Sequence, residues 1–150
     1  MRFHLIDRID SYEPSTVVRA RKVTSVSESY WEDSPAGPIM PPPLVLEALC
    51  QAGTWLIMIS TDTRKRAALL SVASVSFLAD VEPGDVIDLV GTVESMTDEM
   101  AVLSGTATVG DTAVMEARDI MCALIDAEDL QGIEDTNRLR DTLLRDVVAT

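Results

Sequence analysis

The feature that most constrains this chain is a long apolar segment, Leu44 to Ile59, that directly follows three consecutive prolines. Proline cannot lie inside a helix but suits its first turn, so the triplet predicts a helix from about Pro43 to about Ser60. The segment contains Glu47 and Gln51 and is shorter than the ~20 apolar residues that a membrane span needs. We therefore expect a helix that is enclosed by protein on nearly every face and does not enter a membrane.

Strand patterns lie on both sides of this helix. Two strands are predicted before it and four after it: Phe3 to Tyr12, Thr16 to Val26, Leu69 to Asp80, Val86 to Ser95, Met100 to Val109 and Ala113 to Ile125. Ser27 to Pro43 is rich in Ser, Pro and Gly and is predicted to be a loop. Turn sequences at 97–99 and 110–111 predict that the last three strands are antiparallel neighbours. This order indicates an α+β fold, a curved antiparallel sheet of about six strands around one long helix.

The chain has room for one ordinary domain, which we place at residues 1–126. Residues 127–150 differ in character and predict a tail with a short helix. Asp135 or Thr136 would cap this helix, which carries Leu139, Leu143 and Val147 on one face. Because the central helix has no polar face, it needs the sheet on one side and another subunit on the other. We therefore expect at least a dimer.

Charge and composition exclude several classes of function. The net charge of −13 would repel a nucleic-acid backbone, and aromatic residues make up only 4%. The single histidine, His4, and the lack of a ligand cluster argue against a metal site, and no cofactor is expected. Cys50 and Cys122 lie in apolar runs without a CxxC motif, which is typical of buried thiols in a reducing cytoplasm. Charged residues near the start leave no apolar core for a signal peptide, so we expect a cytoplasmic protein.

The most informative window is Tyr30 to Gly53, which reads YWEDSPAGPIMPPPLVLEALCQAG. It resembles the motif GHFPGxPIMPGVLxxEAxAQ of the 3-hydroxyacyl-ACP dehydratases of fatty-acid synthesis, which have the hotdog fold. The chain matches that motif at Pro35, Pro38, Ile39, Met40, Pro41, Leu44, Glu47, Ala48 and Gln51. Residues 3–9 resemble the family's FLLVDRV opening, and 77–85 resemble its F-x-x-x-V-x-PGD strand and turn. The resemblance covers roughly Phe3 to Ile125.

The resemblance implies a hotdog dimer whose site joins a loop histidine of one protomer to a helix carboxylate of the other. In that family a base removes the α-proton, an acid protonates the leaving hydroxyl, and a backbone N–H at the helix start polarises the thioester carbonyl. Carried over, the carboxylate is Glu47, the histidine is replaced by Asp33, and the glycine that donates the N–H is replaced by Pro42, which has none. Gln51, Pro42, Met40 and Ile39 are then expected to contact the substrate.

Asp33 and Glu47 can be interpreted in two ways. If they meet across the dimer interface in an apolar pocket, one of them would hold a proton and the pair could act as acid and base. Alternatively, Asp33 is a solvated loop residue and the site is inactive. A functional role is favoured for Glu47, because an unpaired carboxylate on an enclosed apolar helix is costly to bury. The alternative is that Glu47 has only a structural role and is hydrogen-bonded to a partner such as Gln51.

Three functions stay open for this chain. The first is a dehydratase-like protein that acts on or binds 3-hydroxyacyl-ACP in fatty-acid or polyketide synthesis, with a non-standard site. The second is a non-catalytic acyl-binding subunit that pairs with an active paralogue, and the third is a thioesterase that uses Glu47. The resemblance implies an acyl carrier protein, with its phosphopantetheine-linked acyl chain, as the partner. Carrier proteins are acidic, and the basic residues that could dock one, or simply form a solvated rim, are Arg19, Arg21, Arg64, Lys65 and Arg66.

Overall fold

One long helix packs against a six-stranded antiparallel sheet. A computed structural model describes residues 3–129 and 132–147 of the chain. The strands of the main sheet are β1 (Arg8–Glu13), β2 (Val17–Val23), β5 (Lys65–Phe77), β6 (Val86–Met96), β7 (Met100–Val109) and β8 (Thr112–Asp126). Their order is β1-β2-β6-β7-β8-β5, and each neighbouring pair is antiparallel. The predicted sheet and the antiparallel pairing of the last three strands are therefore confirmed.

The central helix, α1 (Pro42–Ser60), begins where the proline triplet predicts. Pro41 precedes it, and the backbone N–H of Leu44 donates to the Pro41 carbonyl at 2.9 Å. One face packs on β2, β5, β6, β7 and β8. This face carries the buried residues Val45, Ala48, Leu49, Ala52, Leu56 and Ile57. Although α1 is long and apolar enough to cross a bilayer, its burial against the sheet is that of a core helix.

Paired glycines let the helix approach the sheet closely. Gly91 of β6 lies opposite Gly105 of β7. A Cβ atom at Gly105 would lie 2.4 Å from the carbonyl oxygen of Val90 and 2.7 Å from Cδ1 of Leu49. Any larger residue would therefore push α1 away from the sheet. Register irregularities in β1, β5, β6 and β7 supply the local bends that wrap a sheet around a helix.

Two local predictions are wrong. The loop before α1 contains a hairpin, β3 (Glu32–Ser34) and β4 (Gly37–Ile39), whose strands are too short to show a periodic pattern. The first strand begins at Arg8 rather than Phe3. The backbone of residues 3–5 is hydrogen-bonded to the side chain of Gln51 on α1 instead.

The tail forms a second helix, α2 (Ile133–Leu143). Gly132 in the left-handed conformation precedes it, so the predicted cap at Asp135 or Thr136 is wrong. Leu143 is buried in the core, whereas Val147 lies beyond the end of the helix. Residues 130, 131 and 148–150 of the tail lie outside the described residues. The division into residues 1–126 and 127–150 stays a prediction.

Candidate functional site

A pocket of about 520 Å³ lies between α1 and α2, and we call it the α1–α2 pocket. Its walls combine polar and apolar residues from four parts of the chain. They are His4 from the N-terminal segment, Glu47, Gln51, Thr54, Trp55 and Met58 from α1, Arg66 and Ala67 from β5, and Gly132, Asp135, Thr136 and Leu139 from the tail. The pocket therefore joins the predicted site residues Glu47 and Gln51 to an element outside the motif.

Gln51 is the residue that organises this pocket. Its Nε2 donates to Glu47 Oε1 at 2.9 Å and to the carbonyl of Phe3 at 3.1 Å. Its Oε1 accepts from the backbone N–H of Leu5 at 2.8 Å. The carboxamide thus pairs with the extended chain as a neighbouring strand would, and it fixes the position of the Glu47 carboxylate.

Glu47 is exposed in the single described chain. The reason is its place on the helix: Glu47 lies on the face turned away from the sheet, where the α1–α2 pocket opens. On the same helix, Leu46 and Ile59 are partly covered and Trp55 is buried. Glu47 is therefore a hydrogen-bonded carboxylate that faces the pocket.

The start of α1 offers few free backbone donors. Pro42 and Pro43 have no N–H, and the N–H of Leu44 is bonded to the Pro41 carbonyl. A thioester carbonyl placed at this helix start would find none of these three groups available as a donor. The geometry therefore agrees with what Pro42 implies by sequence.

The other residues of the motif lie outside the α1–α2 pocket. Asp33 is exposed on β3, opposite Pro38 of β4. Ile39 ends β4 and is partly buried. Met40 is fully buried in the core, and its N–H donates to the carbonyl of Val81 at 2.8 Å. The structure therefore brings Glu47 and Gln51 together within one protomer, and it leaves Asp33, Ile39 and Met40 elsewhere.

The basic residues are divided among different roles. Lys65 is paired with Asp126 at 2.7 Å and Arg21 with Asp10 at 2.7 Å. Arg66 points into the α1–α2 pocket, where its Nη2 donates to Thr136 Oγ1. Arg19 and Arg64 are the exposed members of the set, and neither forms an ion pair within the described residues. Among the five, Arg19 and Arg64 therefore present their charges to solvent.

Both cysteines are free thiols; Cys122 is buried in the core as predicted, whereas Cys50 is only partly buried against it. They line a small apolar cavity of about 30 Å³ between α1 and the sheet. Burial, and then the negative charge of Glu47, raise the pKa of Cys50 to about 12. Burial also raises the pKa of Cys122. Neither thiol is a nucleophile at neutral pH, because the thiolate is the reactive form.

Sequence reasoning did not identify several residues that line the pocket, although helix periodicity could have identified three of them. Thr54, Trp55 and Met58 follow Gln51 at the three- and four-residue spacing of one helix face. His4 and the tail residues have no such signal, since only the folded chain brings them to α1.

Solved structures share this fold. A Streptococcus mutans protein, solved with acetyl-CoA, superposes with a TM-score of 0.65 at 17% identity and covers 84% of this chain and 93% of that chain. A thioesterase from Pseudomonas aeruginosa superposes with a TM-score of 0.63 at 14% identity and covers 81% of each chain. These likenesses confirm the predicted hotdog fold.

Proteins of similar sequence identify the family within this fold. A 3-hydroxyacyl-[acyl-carrier-protein] dehydratase, FabZ, of Latilactobacillus sakei is 34% identical over 107 residues, which are 70% of this chain and 76% of the relative. The FabZ of Solibacter usitatus is 30% identical over 129 residues, 85% of this chain and 79% of the relative. The model of the FabA-like domain matches residues 1–118, so the chain belongs to the FabA-like family, as the motif around Glu47 indicated.

Proposed function

We propose that this protein binds 3-hydroxyacyl chains as thioesters of an acyl carrier protein and removes water from them at Glu47. The observation that carries this proposal is the position of Glu47, which opens into a pocket of about 520 Å³ beside the apolar side chains of Trp55 and Met58. An acyl chain needs an apolar wall, and the elimination of water needs a group that exchanges protons. The family relation and the FabZ names of the relatives support the same substrate class.

The altered residues predict a slow enzyme. A backbone donor to the reacting carbonyl is worth about 10²–10³ in rate, and Pro42 removes the one that the family uses. Asp33 would have to come from a second protomer, because in one protomer it is not among the described residues of the α1–α2 pocket. We propose that a dimer brings Asp33 toward Glu47, as in the two-protomer sites of the family. Gln51 positions the carboxylate. Met40 is fully buried in the core and is therefore not proposed to contact the substrate.

A homodimer is supported by β5, the last strand of the sheet, whose outer edge has no neighbour in the described chain. It exposes Leu69, Leu70, Val75 and Phe77, a set of apolar residues that is unusual for a free edge. Pairing with an active paralogue would cover the same edge. We propose that an acyl carrier protein docks at Arg19 and Arg64, with Arg21, Lys65 and Arg66 as further basic residues. We also propose that the protein is cytoplasmic, because its free thiols stay reduced there.

The proposal is tested by incubating the protein with 3-hydroxyacyl-ACP and following the intact mass of the carrier. We expect the loss of one water in the wild type, and a fall of about 10²–10⁴ in rate in Glu47→Gln. Glu94→Gln is the matched control, because Glu94 is an exposed glutamate on β6 outside the pocket. Equal rates in wild type and Glu47→Gln would contradict the proposal.

The same measurement separates the two alternative functions. Loss of the whole acyl group, with release of free acid and free carrier thiol, would identify a thioesterase that uses Glu47. An unchanged carrier that nevertheless binds would identify a non-catalytic acyl-binding subunit.

A further inference from the structure

Resting on the proposed dehydration at Glu47, we propose that His4 of the same protomer is the second proton-transfer residue of the site. The loop position that holds the family's histidine carries Asp33, and the chain has a single histidine. That histidine lines the α1–α2 pocket together with Glu47. The chain thus supplies an imidazole to the site from the N-terminal segment instead of from the loop before α1.

The position of His4 is fixed by its two neighbours. The carbonyl of Phe3 and the N–H of Leu5 both bond to the carboxamide of Gln51, at 3.1 and 2.8 Å. The same carboxamide donates to Glu47 at 2.9 Å. Leu5 is fully buried and anchors the segment to the core, whereas the His4 side chain is exposed to the pocket. The Gln51 side chain therefore holds two things in place: the backbone on both sides of His4, and the carboxylate of Glu47. A pair of proton-transfer groups needs this kind of preorganisation.

The hydrogen bonds also assign the two roles. Glu47 Oε1 accepts from Gln51, which leaves Oε2 to act as base. In the proposed step Oε2 takes the α-proton, the Cα–Cβ double bond forms, and the Cβ–O bond breaks. His4 in its protonated form gives its proton to the departing hydroxyl, which leaves as water. The pocket is open, so proton exchange with solvent returns Glu47 and His4 to their starting forms.

Imidazole is the side chain best suited to this exchange near neutral pH. The other charged groups that line the pocket are Arg66 and Asp135. Arg66 is bonded to Thr136 and cannot release its proton in a protein. Asp135 belongs to α2, on the opposite wall from Glu47, and has an interaction of its own.

Two substitutions of His4 test its role by the mass assay on 3-hydroxyacyl-ACP. The side chain is exposed, so His4→Gln and His4→Gly should both fold, which thermal melting verifies. We expect each to lower the rate by about 10²–10⁴. Free imidazole should restore part of the activity of His4→Gly and none of that of Glu47→Gln, a rescue that a structural role would not produce. A wild-type rate in His4→Gln would overturn the inference.

Mixing variants tests whether the pair lies within one protomer. His4→Gln and Glu47→Gln are unfolded together and refolded as mixed dimers. A site within one protomer leaves every mixed dimer inactive, whereas a site across two protomers regains one intact pair. Asp33→Asn mixed with Glu47→Gln is the companion experiment, since the proposed two-protomer contact predicts recovery there. Recovery in the His4–Glu47 mixture would overturn the same-protomer assignment.

A binding measurement keeps this inference separate from the proposed function. The single histidine gives one set of imidazole NMR signals, and the probe is the 3-hydroxyoctanoyl amide of pantetheine, which cannot be hydrolysed. We expect the imidazole signals to shift when calorimetry shows that the probe binds. Binding with unmoved signals would overturn the placement of His4, and turnover in the wild type with a fully active His4→Gln would overturn only its role. A wild type that neither binds nor turns over would overturn both proposals.

Discussion

Gln51 carries more of the site than its side-chain size suggests, because its three hydrogen bonds within the described residues join two different parts of the chain. It bonds to Glu47 on its own helix and to the backbone of Phe3 and Leu5, which lie far from it in sequence. In the motif Gln51 is the last residue of E-A-L-x-Q. In the folded protein it joins the N-terminal segment to α1.

We predict that Gln51→Ala lowers the free energy of unfolding by about 1–3 kcal/mol, because it removes these bonds and leaves backbone groups without partners. Thr54→Val is the control, since Thr54 lies on the same pocket wall and its side chain, among the described residues, donates to the carbonyl of Cys50 on its own helix. The control should change stability by no more than about 0.5 kcal/mol. Urea unfolding followed by circular dichroism measures both. Equal stability of Gln51→Ala and wild type would contradict the role given to Gln51.

Cys50 predicts a dependence of stability on alkaline pH. The pKa of its thiol is raised from 9.0 to about 12, so the folded state holds the proton more tightly than the unfolded chain. The thiol's contribution to stability is therefore complete below pH 9.0 and is lost as the pH rises from 9.0 toward about 12. We expect the urea midpoint of the wild type to fall over this range more steeply than that of Cys50→Ala. Parallel curves for the two proteins would show that Cys50 does not contribute.

At the scale of elements, the contact between α1 and the sheet sets the shape of the molecule. Gly91 and Gly105 face each other on neighbouring strands, below Leu49 of the helix. The cavity described between helix and sheet is small, about 30 Å³. The space for a ligand is therefore found on the other side of α1, in the α1–α2 pocket.

The two glycines should differ in how well they tolerate a methyl group. A Cβ at Gly105 would lie 2.4 Å from a backbone oxygen, whereas at Gly91 its nearest neighbour is Cγ1 of Val18 at 3.2 Å. We predict that Gly105→Ala destabilises the protein by about 1–3 kcal/mol through overpacking and that Gly91→Ala does so by less. Thermal melting of the two variants side by side measures the difference. A larger loss of stability in Gly91→Ala than in Gly105→Ala would contradict this prediction. It would mean that the contacts around Gly105 adjust more easily than those around Gly91.

Helix α2 is an element that the family match does not include. The FabA-like model ends at residue 118, and α2 begins at Ile133. Leu139 and Thr136 nevertheless form the wall of the α1–α2 pocket opposite Glu47 and Gln51. The tail thus contributes to the pocket of this chain, where the sequence pattern indicated only a short helix packed on the body.

At the scale of the whole molecule, β5 is the feature that a single chain leaves incomplete. It pairs with β8 on one side, and its outer edge exposes Leu70 and Val75 to solvent. A long apolar edge strand readily pairs with another copy of itself. The proposed dimer would cover this edge.

We predict that Leu70→Lys combined with Val75→Lys yields a monomer, because charged side chains on an edge strand oppose pairing. Val26→Lys is the control, since Val26 is 76% exposed and lies in the loop after β2, outside the sheet. Light scattering should give twice the chain mass for wild type and control, and the chain mass for the double variant. A dimeric double variant would place the interface elsewhere, and a monomeric wild type would contradict the dimer itself.

Much of the fold follows from the sequence alone, because its signals are local. The proline triplet places the start of α1 within one residue, since proline suits only the first turn of a helix. The alternation of side chains along β2 places Arg19 and Arg21 on one face and Lys22 on the other, as the burial of this strand shows. Glu47 and Gln51 share a face because they lie four residues apart, and the PIMP and E-A-L-x-Q motifs identify the family.

Only the tertiary structure decided what the site contains. The sequence shows that α1 is apolar, but packing decides which elements cover each of its faces, and in the single chain the face of Glu47 opens to a pocket. His4, Arg66 and Thr136 come to that pocket from distant parts of the chain, and no periodic pattern encodes contacts at such separations. The sequence therefore determined the scaffold and its carboxylate through short-range periodicity. The partners of Glu47 were decided by packing, which brings together residues that are remote in the chain.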